Sequence, residues 1–144
     1  MTRAPAQIRL VWALVDIALI LVFAFLGQAS HYDAVSLPGA LATAAPFLAA
    51  YSMTYLACLA WRRPAAPLRT GVPMWLGTAV GGLMLRVWFG ESAAPAFQIV
   101  AVVVLALFLV FPRLVAATLG AVRRRRRRQS SAHHSPAQNQ GAAS

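Results

Sequence analysis

Apolar residues in this chain do not recur at every third or fourth position; they run on, in four blocks separated by short polar breaks. The blocks extend from Leu10 to Leu26, Gly39 to Ala60, Gly71 to Phe89 and Pro95 to Leu119. Runs of this kind predict helices with apolar surroundings on every side, which in a short chain means lipid. A hydrocarbon core of ~30 Å needs about 20 helical residues; the first block, about 17 residues, is at the short end and the fourth, about 25, predicts a tilted helix. Breakers fall at the gaps: Ser36 to Gly39, Arg62 to Pro67 and Gly90 to Pro95. The expected fold is therefore all-α, an integral membrane four-helix bundle over residues 10–119 whose short connections make sequential helices antiparallel. Residues 1–9 precede it. Residues 120–144 form a polybasic tail, expected to be disordered because its Ser/Ala/Gln-rich end has no periodicity.

Composition agrees with this pattern, since 60% of the 144 residues are hydrophobic and only 11% are charged, more apolar than a soluble domain of this size. Charge adds the orientation. Thirteen arginines and no lysine stand against Asp16, Asp33 and Glu91, giving a net charge of +10. Arg3 and Arg9 precede the first block, Arg62, Arg63 and Arg69 separate the second and third, and Arg123, Arg124, Arg125, Arg126, Arg127 and Arg128 follow the fourth. The breaks that hold Asp33 and Glu91 contain no arginine, so the positive-inside rule predicts both termini in the cytoplasm. Arginine without lysine, with abundant alanine, is a habit of GC-rich bacterial genomes and makes a bacterial cytoplasmic membrane the expected location. A rival reading of the first block is a secretory signal ending at Gly27-Gln28-Ala29, which would leave three spans after cleavage. Against it, Asp16 interrupts the apolar run.

The six-arginine run is expected to meet anionic lipid headgroups as well as enforce topology. Nucleic-acid binding is disfavoured, because topology already accounts for the charge. Chemistry is sought among ionisable residues inside the spans, where burial costs about 2.5–3.5 kcal/mol even on the lenient insertion scale. Counted along the helices, Asp16 lies ~9 Å and Arg113 ~10 Å inside the same cytoplasmic edge. Equal depth makes them candidate partners, and arginine's bidentate fork suits a buried carboxylate. The other reading has Arg113 snorkelling beside Pro112 and Asp16 reaching water alone. Near the opposite face, Arg86 and Gln98 lie at one level, with Gln28, His31, Asp33 and Glu91 in reach; they make either a polar cluster or a set of independent interfacial groups. Gly77, Gly81 and Gly82 give the third span a small face for close helix packing. Tyr51, Tyr55 and Cys58 share a face of the second span, which with Ser52 and Thr54 either lines a cavity or bonds between helices.

Lone Cys58 offers no disulfide or metal spacing, and adjacent His133 and His134 make no metal site by themselves. No phosphate loop, nucleophile elbow or zinc-protease pattern occurs, so neither cofactor nor catalysis is expected. The expected role is a non-enzymatic membrane component or partner-binding subunit, acting as a homo-oligomer or with an unidentified membrane partner. The alternative is a small oligomeric proton-coupled transporter using Asp16.

The order of features is also telling: Asp16 early in the first span, Phe23 and Gly27 before Ser30-His31, Pro46-Phe47, Leu68-Arg69-Thr70-Gly71, Trp75, Gly81-Gly82-Leu83-Met84-Leu85-Arg86 and Ala96-Phe97. Over roughly residues 10–119 this resembles the small bacterial and archaeal membrane family catalogued as domain of unknown function 3054. The resemblance implies four spans and makes Asp16, His31, Arg69 and Arg86 the polar positions to test. The chain departs from that pattern at Gln28, where arginine is usual, and at Pro112, where tryptophan is.

Overall fold

The computed structural model describes residues 5–29, 36–91 and 95–133, with the backbone alone at 127, 128 and 130–133. Among these residues there is no strand. Four helices, α1 (Ala6–Ala29), α2 (Leu37–Ala57), α3 (Val72–Trp88) and α4 (Pro95–His133), make up the fold. Their limits follow local chemistry. The Ser36 hydroxyl accepts the Gly39 N–H at 3.2 Å and Pro38 occupies the first turn, so α2 begins with a side-chain cap and a preset φ. It ends where Leu59, at φ 50°, turns left-handed into a short 3₁₀ segment, Ala60–Arg62. A five-residue π turn, Pro67–Gly71, continues directly into α3, which closes at Gly90 with φ 77°.

Two elements differ in length from the apolar pattern. Three helices, α1, α2 and the apolar part of α4, are long and apolar enough to cross a membrane. α3 has 17 residues, ~25 Å of regular helix, because Pro67 and Pro73 divert its first turn into the wider π geometry. Of the tail expected to be disordered, residues 120–133 continue α4 and residues 134–144 lie outside the described residues. Arginine is a good helix former and no proline intervenes. An apolar pattern marks where lipid ends, not where the hydrogen-bond ladder ends.

The helices pack in a ring in which each touches its sequence neighbours and α1 touches α4. Ile20, Phe23, Phe47, Met74, Leu105 and Leu109 fill the centre. α2 and α3 share the most extensive contact, and the structure places the three glycines of α3 there. A Cβ at Gly77 would strike Thr54, one at Gly81 would sit 3.0 Å from the Ala50 Cβ, and one at Gly82 would strike the Phe47 ring. Phe47 cannot yield, being fully buried and held edge-on by Phe23 at 5.1 Å.

Gly82→Ala should therefore cost about 1–3 kcal/mol through overpacking. Gly120→Ala, where a Cβ meets nothing within 4 Å, should cost nothing and add helix propensity. Thermal unfolding in detergent followed by far-UV circular dichroism compares them, and an equal loss in both would refute the steric account.

Candidate functional site

Asp16 and Arg113, from α1 and α4, meet inside the bundle with 1% of each residue exposed. The contact is bidentate: Nη1 donates to Oδ1 at 2.9 Å and Nη2 to Oδ2 at 2.6 Å. Arg113 gives more than charge. Its Nε donates to the Pro64 carbonyl at 2.9 Å, and Nη1 also donates to the Leu109 carbonyl at 2.6 Å. Asp16 accepts a third hydrogen bond, from the Tyr51 hydroxyl to Oδ2 at 3.1 Å. The Trp12 ring lies 4.9 Å from the guanidinium carbon. One buried centre thus joins α1, α2, α4 and the α2–α3 connection.

Sequence fixes this geometry locally. Asp16 lies on the inward face of α1 with Ile20 and Phe23, one and two turns on. Arg113 follows Leu105 and Leu109 at four-residue steps on the buried stripe of α4. Its stem passes Gly71, where a Cβ would stand 3.0 Å from Arg113 Cδ. Burying either charge alone would be prohibitive; matched and saturated with hydrogen bonds, the pair is tolerated. The pairing by depth does not extend to Tyr51, Pro64, Gly71 and Trp12, the other members of this centre. Tyr51 had a signal, its place on the polar face of α2, whereas a backbone carbonyl such as that of Pro64 has none.

At the other end the structure brings Arg86 and Glu91 together at 3.0 Å, with the Arg86 guanidinium carbon 4.6 Å from the centroid of the Phe97 ring. Gln28 serves the α1–α2 connection, its Oε1 accepting the Ser36 N–H at 3.1 Å, and Gln98 is exposed in the first turn of α4. His31 and Asp33 lie outside the described residues. On α2, the Ser52 and Thr54 hydroxyls bond carbonyls of their own helix, Leu48 and Ala50. Tyr51 bonds across to α1, and its ring is followed by Tyr55 and Trp61 at centroid spacings of 5.8 and 5.9 Å. Cys58 is exposed. Among the described residues no group of three or more His, Cys, Asp or Glu is placed to hold a metal.

Residues 13–116 match the family model described as "Protein of unknown function (DUF3054)", and the chain belongs to that family. The matched stretch contains Asp16, Tyr51, Pro64, Gly71 and Arg113 but not the six-arginine run. No curated protein and no solved structure shows significant similarity to it.

Asp16→Asn and Arg113→Gln should each destabilise the bundle by about 3–5 kcal/mol, because each strands the opposite charge. The double variant should recover part of that loss, and a double-mutant cycle on unfolding in detergent reads the coupling. Tyr51→Phe, which removes one hydrogen bond to a charged acceptor, should cost about 1.5–3 kcal/mol. Additive losses at 16 and 113 would mean that the contact contributes no coupling.

Proposed function

We propose that this member of the DUF3054 family is a four-span protein of a bacterial cytoplasmic membrane, with both termini inside, acting as a non-enzymatic component that binds a membrane partner or further copies of itself. The observation that favours such a component over a proton-coupled carrier is the full commitment of Asp16. Both carboxylate oxygens are taken by Arg113, one of them also by Tyr51, and the residue is 1% exposed. A proton-coupled carrier needs a carboxylate that water reaches and that exchanges its proton during the cycle. Asp16 instead has the surroundings of a tie between helices.

What supports a fourth span is packing. α3 lies along α2 from Thr54 opposite Gly77 to Phe47 opposite Gly82, so it shares the depth of a helix that is itself long enough to cross. The π turn lengthens it at the end where α2 finishes. Orientation rests on arginine placement: the α1 start, the α2–α3 connection and the α4 exit hold arginines, and the two opposite connections hold none.

Reporters fused after Ser144 and within residues 62–69 should behave as cytoplasmic, and one within residues 31–36 as external. A cytoplasmic result at 31–36 would remove the four-span topology. In proteoliposomes, wild-type protein should give no proton flux that Asp16→Asn abolishes; such a flux would replace the structural role with the carrier one.

A further inference from the structure

We infer that the end of the bundle carrying the α2–α3 connection binds the phosphates of anionic lipids through arginines that the fold leaves without a protein counter-charge. The inference rests on the membrane reading above and is independent of the role given to Asp16. Only three acidic residues exist in the chain. Asp16 is buried and consumed by Arg113 and Tyr51, and Glu91 pairs with Arg86 at the far end. The third, Asp33, lies outside the described residues, in the connection between α1 and α2. Against them stand Arg9 at the start of α1, Arg62, Arg63 and Arg69 between α2 and α3, and Arg123 to Arg126 on α4 beyond the bundle, all at one end by the antiparallel topology. No ion pair joins any of these to a carboxylate among the described residues. All but Arg9 are exposed, and Arg9 has its Nε enclosed with no hydrogen-bond partner among the described residues.

Both exposed sets are held on fixed backbone. In the α2–α3 connection, Arg113 grips the Pro64 carbonyl at 2.9 Å and the Thr70 hydroxyl donates to the Arg63 carbonyl at 2.7 Å. On α4 the arginines continue the spanning helix without a break. Arg123 emerges ~15 Å beyond the level of Arg113, and Arg123 to Arg126 occupy one ~5.4 Å turn. That matches the ~5–7 Å depth of one headgroup layer. At about 100° per residue the four side chains point around the whole circumference. A nucleic-acid duplex would meet only one side of such a stem, whereas lipids surround it. Guanidinium forks then pair with phosphodiesters bidentately.

The test uses the full chain in vesicles of phosphatidylcholine and phosphatidylglycerol with trace spin-labelled lipid, reading the preference of the immobilised shell for the anionic lipid. One surface arginine is worth about fivefold in anionic-lipid partitioning, so a shell average of several-fold is expected for wild type, reduced in molar salt. Replacing Arg123 to Arg126 by glutamine, or Arg62, Arg63 and Arg69 by glutamine, should each lower the preference at least about twofold, and both together should lower it further than either alone, leaving what Arg3, Arg9, Arg127 and Arg128 supply. A wild-type shell without preference, or one unchanged in the combined variant, overturns the inference. So does loss of the preference to inorganic phosphate but not to chloride at equal ionic strength, which would identify a free-phosphate site, or nucleic acid that copurifies and displaces the lipid. Alkaline carbonate extraction comes first: release of wild-type protein from membranes would defeat the membrane reading before any selectivity is measured.

Discussion

In lipid, apolar surface gives one helix no reason to prefer another over the acyl chains around it, so association must come from close packing or from polar groups that lipid cannot satisfy. The Arg113–Asp16 pair is the second kind of force in pure form. Separated, each charge is stranded in hydrocarbon; together they fill each other's hydrogen-bonding capacity and draw in Tyr51 and the Pro64 carbonyl. Four parts of the chain are thereby held to a common level, and the rest of the core is arranged above it.

The opposite seam uses the first kind of force. Between α2 and α3 the contact is steric, with glycines at 77, 81 and 82 letting the backbone meet Thr54, Ala50 and the Phe47 ring. Phe47 then carries that contact inward, since its ring packs on Phe23 of α1 and lies 6.4 Å from Phe97 of α4. One seam is closed by absence of side chain and the other by a charged pair, so substitutions in the two should fail by different routes: overpacking in the first, an uncompensated ion in the second.

How legible this was depended on the kind of signal. Uninterrupted apolar blocks show α1, α2 and α4 directly. Asp16 and Arg113 could be paired on paper because helical rise converts residue number into depth, and both count inward from the same edge. Depth does not choose partners: Gln28, in reach of Arg86 by that count, instead accepts the Ser36 N–H of the α1–α2 connection. Acceptors with no side-chain identity, such as the Pro64 and Leu109 carbonyls, cannot be read from residue types at all. The π turn at Pro67–Gly71 was hidden for a related reason: two prolines six residues apart announce a break, but not the geometry that bridges it. The length of α4 was missed because hydrophobicity reports the surrounding solvent, and backbone hydrogen bonds continue into water.

The partners of the central pair are 97 residues apart in sequence. A ribosome adding about 5–20 residues per second needs roughly 5–20 seconds to make the stretch between them. In a membrane the first helix must therefore be inserted and held while its aspartate has no counter-ion. Tyr51, only 35 residues on, is available to the carboxylate well before Arg113. The strong apolarity of α1 around Asp16 suits that interval, since it favours retention in the bilayer before the last helix is made.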